Sequence, residues 1–497
     1  MGVCSVTAQK FWMVGSCTVI LLLALVIALL WPTLSLKYLV YPKLKLTNGT
    51  LNYDNWKETP IPMYLEIYLF NWTNSDEIHN RSVKPNFVEM GPYVFHEKHI
   101  RTNISWSDDS TTVDFYQKRV WHFKPELSNG SLDDEITNIN PLVAAVGYAS
   151  RNLDSLTRLM VNTLFIDDLA PLFKTKKARE LLFDGYDDEL LHVLKANHDP
   201  KFPSIPFEKM GWFVERNNSE TYDGKFRMFT GTDEITKLGN IEMWNGNTTT
   251  GLHTNSCSVV RGTSGELWPP IENHEKPGIS IFAPDICRTI DLKYDSDFSK
   301  LGINGYKWIA DDSVFDNGVK YPEMKCYCSA DEKLCPDLAP GVFNASSCKY
   351  SSPAFISFPH FYLADKTYLA DITGLKPNKT LHTFSIALEP QTGIPLSINA
   401  ALQINILIKP WSGIFAFDNV PELFVPTLWF KQKADLTPEL ADQAKLAVMV
   451  PSLGVWIGYG LLGLGLLIAT SALNCYIFRW RNSEDEEDGQ DVPILDE

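Results

Sequence analysis

The chain has 497 residues, of which 45% are hydrophobic and 21% are charged, a balance that excludes an intrinsically disordered protein. Its formal net charge of −16 argues against binding to nucleic acid, whose phosphates carry charge of the same sign.

The first predicted element is an apolar run near the amino terminus. Residues 11–36 contain no charged side chain, and a membrane span needs about 20 apolar residues. A signal peptide is the alternative, but its apolar region is usually about 7–15 residues long, and no small-x-small cleavage site follows before Trp31-Pro32. We therefore predict a cytosolic tail over 1–10 and a transmembrane helix over 11–31.

A second charge-free run covers residues 446–478 and predicts a transmembrane helix at the other end of the chain. Gly454 and Gly458 form a GxxxG pattern in this run, which makes them candidates for self-association. Cys4 and Cys475 lie near the predicted cytosolic membrane faces and are candidates for palmitoylation, with an unmodified thiol as the alternative. Residues 479–497 form an acidic tail, in which Ile494-Leu495 resembles a dileucine sorting signal.

The region between the spans, residues 32–445, carries all nine N-x-S/T sequons of the chain. Sequons confined to one side of the membrane predict a luminal or extracellular, glycosylated region with both termini in the cytosol. The sequons begin at Asn48, Asn71, Asn80, Asn103, Asn129, Asn217, Asn247, Asn344 and Asn378.

Six cysteines also lie in this region: Cys257, Cys287, Cys326, Cys328, Cys335 and Cys348. An even number of cysteines in a glycosylated region predicts three disulfides. A zinc site is the alternative, but the C-x-C pair at 326–328 lacks the usual zinc-ligand spacing. Two cysteines at i and i+2 of an extended chain are near the limit of disulfide reach, so Cys326 and Cys328 are expected to take different partners.

Three stretches are typical of β-strands. Ile61–Phe70 and Val113–Phe123 are rich in aromatic and β-branched residues, and Ser397–Ile408 alternates apolar and mostly polar residues with a period of two. A long strand with one apolar face favours a closed or nearly closed antiparallel sheet.

Helical spacing is confined to the stretch 140–195. Asn140 can cap a helix that starts at Pro141. An apolar stripe follows at Leu142, Val146, Ala149, Leu153, Leu156 and Met160. Two further helices are predicted around Leu172–Phe183 and Asp187–Lys195. We expect the stripes to form core contacts, with an exposed apolar docking face as the alternative.

The sequence offers little catalytic chemistry. It contains no H-E-x-x-H motif, no P-loop and no G-x-G-x-x-G after a strand. His122, His253, His360 and His382 are scattered along the chain, which is typical of structural histidines. We therefore predict a protein that is not an enzyme and that needs no metal or cofactor. An ectoenzyme or a channel is the remote alternative.

Seven short motifs carry a family resemblance. In chain order they are Met90-Gly91-Pro92-Tyr93-Val94-Phe95, Phe123-Lys124-Pro125-Glu126 with Asn129-Gly130-Ser131, Leu267-Trp268-Pro269-Pro270, Asp285-Ile286-Cys287-Arg288, Cys326-Tyr327-Cys328, Ile356-Ser357-Phe358-Pro359-His360-Phe361 and Glu389-Pro390-Gln391-Thr392-Gly393. In this order, with two terminal spans and six cysteines, the whole chain resembles the class B scavenger receptors, with their insect phagocyte branch as the finer placement.

The resemblance implies an α+β fold. A large β-barrel-like ectodomain would carry a membrane-distal helical bundle over 140–195 and an internal hydrophobic tunnel. It also implies a plasma-membrane receptor for lipids, lipoprotein particles or apoptotic cell surfaces, with a lysosomal or endosomal protein that carries lipid or a client protein as the alternative. The implied disulfides are Cys257–Cys326, Cys287–Cys348 and Cys328–Cys335.

Fatty-acid-binding relatives carry a lysine-bearing segment where this chain has Phe165-Ile166-Asp167-Asp168, so an anion-binding lysine does not transfer to these positions. A basic cluster follows at Lys174, Lys176, Lys177 and Arg179. On a helix, Lys174 with Lys177 and Lys176 with Arg179 would be i, i+3 neighbours. We expect this cluster to receive anionic particle surfaces, with a solvated helix face as the alternative.

Overall fold

The structure is a computed structural model that describes residues 2–165, 170–196, 207–271, 276–331, 335, 338–348 and 352–487. The chain divides into two compact units. One unit holds the terminal regions up to Leu44 and from Asp442, and the other is Lys45–Ala441.

The helices of the described residues are α1 (Gly2–Ser35), α2 (Tyr41–Leu44), α3 (Leu51–Lys57), α4 (Pro141–Ser150), α5 (Ser155–Asn162), α6 (Glu189–Ala196), α7 (Thr367–Ala370), α8 (Lys379–His382) and α9 (Pro438–Glu487). The strands are β1 (Met63–Trp72), β2 (Phe87–Trp106), β3 (Thr112–Phe123), β4 (Glu135–Ile139), β5 (Phe173–Lys177), β6 (Lys225–Phe229), β7 (Ile241–Trp244), β8 (Ile279–Ala283), β9 (Arg288–Lys300), β10 (Ile303–Ile309), β11 (Phe343–Asn344), β12 (Ala354–Ser357), β13 (Ser385–Leu388), β14 (Pro395–Ile408) and β15 (Leu423–Asp435).

One large antiparallel sheet dominates the unit Lys45–Ala441. Its order is β7-β6-β3-β2-β1-β15-β14-β13-β10-β9-β8, and β12 pairs with both β14 and β11. The predicted strands correspond to β1, β3 and β14. The first and last strands of the unit are neighbours, with Met63 opposite Ala434. The fold is therefore mixed α and β, with a large sheet that the period-two pattern of β14 predicts.

Residues 260–263 form backbone hydrogen bonds with both edge strands of this sheet, β7 and β8. Ile241 N–H of β7 donates to the Gly262 carbonyl at 2.8 Å, and Phe282 N–H of β8 donates to the Thr263 carbonyl at 2.9 Å. Gly262 has φ +87°, and a Cβ there would lie 2.4 Å from the Ser280 carbonyl oxygen. Only glycine fits so close an approach with this backbone conformation, so this residue allows the sheet to become nearly closed.

The helical region differs from the prediction in two places. The chain over Phe173–Lys177 is strand β5, paired with β4 in a separate two-stranded sheet, so the helix predicted around Leu172–Phe183 is wrong over its first half. Cross-strand contacts override the helical spacing, and the hydroxyls of Thr137 and Thr175 meet at 2.6 Å across this pair. A short π-helical turn, Glu180–Asp184, follows.

The apolar stripe that starts at Leu142 belongs to two helices rather than one. α4 ends at Ser150, and α5 begins after Asp154, whose carboxylate accepts from Thr157 N–H at 2.9 Å. The break changes the direction of the chain. α4 is buried on almost every side in the core beside β14, whereas Leu156 and Met160 of α5 are 71% and 66% exposed. The expected core contacts are therefore wrong for these two residues.

Two helical segments are long and apolar enough to cross a membrane, Thr18–Leu44 and Pro438–Cys475. α9 continues beyond the second span to Glu487, and Ile494-Leu495 lies outside the described residues. Gly454 and Gly458, proposed for self-association, face α1 of the same chain. A Cβ on Gly454 would overlap Trp31, and one on Gly458 would lie 2.8 Å from Ala28. The GxxxG face is thus already occupied within the chain.

Asn344 differs from the other sequon asparagines in its burial. It lies in β11, is 6% exposed, and its side-chain oxygen accepts from Ser346 N–H at 3.0 Å. The other eight sequon asparagines are exposed or half-buried. Because Asn344 is buried in the pairing of β11 with β12, we propose that this sequon carries no glycan.

Glycopeptide mapping is expected to find Asn344 unmodified while Asn80 and Asn378, whose side chains are exposed, carry glycans. Asn344→Gln should leave the electrophoretic mobility of the mature chain unchanged. Asn80→Gln, the matched control, should remove one glycan, so the chain should migrate at a correspondingly lower apparent mass. A glycan detected on Asn344 of the mature protein would contradict the buried position.

Candidate functional site

The unit Lys45–Ala441 contains an apolar cavity of about 190 Å³. One wall is formed by the alternate residues Leu402, Ile404 and Ile406 of β14, the strand whose period-two pattern predicts a single apolar face. Leu142 of α4 and Phe213 contribute to other parts of the lining. The walls are dominated by hydrophobic and aromatic side chains, which is typical of a site for a lipid or another apolar ligand.

The cavity has a charged border. Arg216 lines it and is 7% exposed, and its guanidinium forms ion pairs with Asp285 at 2.8 Å and with Asp223 at 3.2 Å. Its Nε atom is buried and has no hydrogen-bond partner among the residues that the structure describes. Glu215 and Asp285 also line the cavity and bring carboxylates to it. The cavity therefore combines an apolar body with a charged border.

Arg216 belongs to a largely buried network of eight residues in which positive and negative groups alternate. In order of contact the members are Arg101, Glu266, His99, Glu97, Arg119, Asp223, Arg216 and Asp285. Four members are basic and four are acidic when His99 is protonated. The side chains come from β2, β3 and several loops, so the network links distant parts of the sheet.

The pKa directions agree with ionised forms of Glu97, Glu266 and His99. Burial alone would raise the pKa of Glu97 and of Glu266. His99 and Arg119 nevertheless lower the pKa of Glu97, and Arg101 and His99 lower the pKa of Glu266. Burial would lower the pKa of His99, and the two flanking carboxylates raise it instead. Since a raised histidine pKa favours the protonated form, the stabilisation by His99 is complete below its ordinary pKa and is lost as pH rises through the folded-state pKa.

The sequence analysis missed this network. The signal that could have revealed its core is the spacing of Glu97, His99 and Arg101, since residues at i, i+2 and i+4 of a strand share one face. Charged residues at alternate positions of a strand more often form a solvent-exposed face than a buried network. Here they are at most 3% exposed.

A second candidate surface is the exposed apolar side of α5. Leu156, Leu159 and Met160 are 71%, 57% and 66% exposed. The helix is anchored on its other side, where Asn162 Nδ2 donates to the Gly413 carbonyl at 2.9 Å and Asn162 Oδ1 accepts from the Phe415 N–H at 2.9 Å. Phe415 is itself 63% exposed. Large apolar side chains exposed together on an anchored helix are typical of a docking surface.

The basic cluster lies on β5 and the turn after it, so the expected helical i, i+3 pairs do not form. Its charges are paired. Lys174 meets the buried Asp188 at 2.5 Å, and Lys176 lies 4.0 Å from Glu180. Lys177 and Arg179 share Asp133, at 3.2 Å and 3.1 Å. Three acidic partners therefore offset most of the four positive charges. Of the acidic segment before the cluster, only Phe165 is described.

The remaining predicted residues are placed as follows. Disulfides join Cys257 to Cys326, Cys287 to Cys348 and Cys328 to Cys335, the pairs that the family resemblance implies. Cys475 is an exposed free thiol, and only the backbone of Cys4, in α1, is described. Among the described residues, no group of three or more His, Cys, Asp or Glu side chains is arranged to hold a metal ion.

Two of the four scattered histidines come together. The rings of His360 and His382 stack with centroids 4.5 Å apart, and His360 Nε2 lies 2.6 Å from a Glu89 oxygen. Both Nδ1 atoms accept backbone N–H groups at 3.0 Å, from Lys376 and Asn378. These bonds hold both rings in place against the backbone, which suits a structural role for this pair.

The chain is similar to known proteins over most of its length. The model of the CD36 family matches residues 13–476. Protein peste of Drosophila melanogaster is 34% identical over 429 residues, which cover 86% of this chain and 76% of that protein. Scavenger receptor class B member 1 of Mus musculus is 32% identical, covering 92% and 87% respectively. Lysosome membrane protein 2 of Rattus norvegicus is 29% identical, covering 88% and 86%. The chain belongs to the CD36 family, as a protein like the class B scavenger receptors.

Proposed function

We propose that this protein is a non-enzymatic receptor of the plasma membrane that binds lipid-bearing particles or apoptotic cell surfaces and accepts lipid from them. The observation that carries the proposal is the apolar cavity walled by Leu402, Ile404 and Ile406. Apolar cavities of this kind release water when hydrocarbon enters, at about 25 cal/mol per Å² of apolar surface. The similarity to scavenger receptors supports the same reading.

Capture of the particle is assigned to α5. Its exposed Leu156, Leu159 and Met160 can enter the apolar surface of a lipid particle, and burying a leucine side chain contributes about 1.5–3 kcal/mol. In this proposal α5 supplies adhesion and the cavity supplies lipid uptake. The two steps can therefore be separated by substitution.

Cells that express the full chain would be offered particles labelled in both protein and lipid. Ile404→Trp fills the cavity, so we expect lipid uptake to fall severalfold while particle binding is retained. Leu156→Glu with Leu159→Glu should lower particle binding itself by about tenfold or more. Leu127→Trp and Val319→Glu change exposed apolar residues elsewhere and serve as controls.

Surface biotinylation would measure the amount of each variant at the cell surface. Normal surface amounts with unchanged lipid uptake in Ile404→Trp would overturn the cavity as the route for lipid. Normal binding by the α5 variant would remove α5 from particle capture.

A lysosomal or endosomal protein is the second candidate, favoured by the similarity to lysosome membrane protein 2. The acidic tail with Ile494-Leu495 is the sequence feature that bears on it. If the tail is a sorting signal, Ile494→Ala with Leu495→Ala should move the protein from internal compartments to the cell surface. An unchanged distribution would favour the plasma-membrane receptor.

For the basic cluster, we propose a secondary role of Lys177 and Arg179, whose side chains are 48% and 42% exposed. Lys177→Glu with Arg179→Glu should weaken binding of phosphatidylserine vesicles, and more at low than at high ionic strength, because salt screens exposed charges. Lys118→Glu is a control outside the cluster. Lys174→Glu is expected to destabilise the fold, since Asp188 is buried beside it. If Lys177→Glu with Arg179→Glu bound the vesicles as well as the wild type at every salt concentration, the cluster would be only a solvated surface.

A further inference from the structure

A buried histidine and a buried arginine contact the same two aromatic rings in the unit Lys45–Ala441. The His253 ring lies 5.1 Å from the Tyr327 ring and 5.6 Å from the Phe343 ring, measured between centroids. The guanidinium carbon of Arg288 lies 3.5 Å and 4.6 Å from the centroids of these two rings. His253 is 8% exposed and Arg288 is 2% exposed. A proton on His253 would therefore place a second positive charge beside the first, out of contact with water.

Other charged groups nearby are either paired or exposed. The charged and titratable side chains beside His253 on the elements packed against it are Arg288 and Asp291 of β9, Arg261 of the loop before β8, and Glu323, Lys325 and Tyr327 of the turn Pro322–Asp331. Glu323 and Lys325 are exposed and opposite in charge. Burial raises the pKa of Asp291, but hydrogen bonds from its partner Arg261 lower it overall, so Asp291 stays ionised in mild acid.

The loop 249–259, which carries the histidine, can move as one piece. Its backbone bonds to itself, since Thr250 N–H donates to the Ser258 carbonyl at 2.7 Å. A disulfide joins Cys257 of the loop to Cys326, the residue directly before the tyrosine that the histidine contacts. The loop can therefore separate from the tyrosine without unfolding, and the disulfide limits how far it travels.

The same loop forms one side of a groove of about 820 Å³. Thr254, Asn255 and Ser256 line this side, directly after the histidine. Cys326 and Cys328, on either side of the tyrosine that the histidine contacts, line the other side. Separation of the loop from the tyrosine would therefore widen the groove.

We propose that His253 holds the loop 249–259 against Tyr327 at neutral pH and releases it at the pH of endocytic compartments, which widens the groove. A neutral imidazole packs against the aromatic rings, whereas an imidazolium is repelled by Arg288 and favours the open, solvated loop. The inference goes beyond the proposed function, because the groove is separate from the apolar cavity and the release needs no lipid.

Linkage gives the direction and size of the effect. Burial and the neighbouring Arg288 lower the pKa of His253 to about 4, whereas the ordinary pKa of about 6.5 applies in the open loop. The closed state is therefore favoured fully above about pH 6.5, and this preference is lost as pH falls towards about 4. Between about pH 7.4 and pH 5.5 the open fraction should rise about tenfold.

Hydrogen–deuterium exchange of the full-length glycoprotein in phosphatidylcholine nanodiscs would measure this opening at about pH 7.4 and pH 5.5. After correction for the intrinsic pH dependence of amide exchange, peptides from 249–259 and 322–328 should exchange about tenfold faster at the lower pH. Peptides from β14 should keep their protection. On return to neutral pH the loop should become protected again, because the disulfide between Cys257 and Cys326 keeps it in place.

Three histidine variants identify the group that responds. His253→Gln cannot take up the proton, so its loop should exchange equally at both pH values after the correction. His382→Gln changes a buried histidine in a different contact, and His122→Gln changes an exposed one. Both of these controls should keep the response of the wild type. A full response in His253→Gln would overturn the proposal.

The wild-type chain alone also provides a test, which applies even if His253→Gln does not fold. Corrected exchange of the loop that rises below about pH 6.5 and levels off near pH 4 would support the proposal. Exchange independent of pH would overturn it. An equal acid response in the loop and in β14 would also overturn it, because acid would then act on the whole unit rather than on this contact.

Discussion

Replacing Asp223 by Asn is expected to lower the free energy of unfolding of the Lys45–Ala441 unit by about 3–5 kcal/mol. The carboxylate is 3% exposed and lies 2.9 Å from Arg119 and 3.2 Å from Arg216. Removing its charge leaves two buried guanidinium groups with fewer acidic partners, and an uncompensated buried charge is among the most destabilising single changes. The denaturant midpoint of the purified chain would measure the effect.

Asp233→Asn is the matched control for this prediction. Asp233 pairs with Lys237 at 3.6 Å on the surface, where both side chains are about 40% exposed. Exposed ion pairs contribute little because water and salt screen them, so the midpoint of this variant should equal that of the wild type. Equal midpoints for both variants would mean that the network contributes nothing to stability.

Acidification from pH 7 to pH 5 is expected to destabilise the same unit through two buried histidines. Burial and the neighbouring Arg288 lower the pKa of His253 to about 4, and burial and the stacked His360 lower that of His382 to about 4. The unfolded chain binds these protons near the ordinary pKa of 6.5, so stability falls as pH drops below that value. Linkage gives about 1–2 kcal/mol for each residue.

The checks are thermal unfolding midpoints of His253→Gln and His382→Gln at both pH values, with the exposed His122→Gln as the control. Each buried variant should lose less stability between pH 7 and pH 5 than the wild type, and His122→Gln should match the wild type. His99 acts in the opposite direction, since its raised pKa makes it lose stabilisation as pH rises. If His253→Gln and His382→Gln both keep the full acid dependence of the wild type, other groups cause it.

The sequence predicted those parts of the fold that repeat a local pattern. β14 was predictable because one face must be apolar when a strand lines a cavity, and the spans because hydrocarbon tolerates few charges. The helix predicted at Leu172–Phe183 failed because pairing of β5 with β4 outweighs local spacing. The burial of Asn344 could not be predicted either, since the sequon motif carries no information about tertiary position.

The candidate site was predictable only in part. The apolar wall follows from β14, but the eight charged residues of the network come from separate parts of the chain, and only Glu97, His99 and Arg101 are close in sequence. Their pairing depends on which strands become neighbours, which no local pattern determines. The basic cluster shows the reverse case. Its residues are adjacent in sequence, yet acidic groups brought in by the fold, Asp133 and Asp188, offset its charge.

The pairing of β1 with β15 also has a consequence for biosynthesis. During translation β1 has only β2 as a neighbour until the last strand of the unit has been made, so one edge of β1 stays open through most of synthesis. Pairing over such a long stretch of sequence is slow and leaves unpaired edges exposed to aggregation. A chain terminated before Leu423 would lack the strand that lies between β1 and β14. Early termination therefore leaves β1 and β14 with unpaired edges and does not give a shorter form of the same fold.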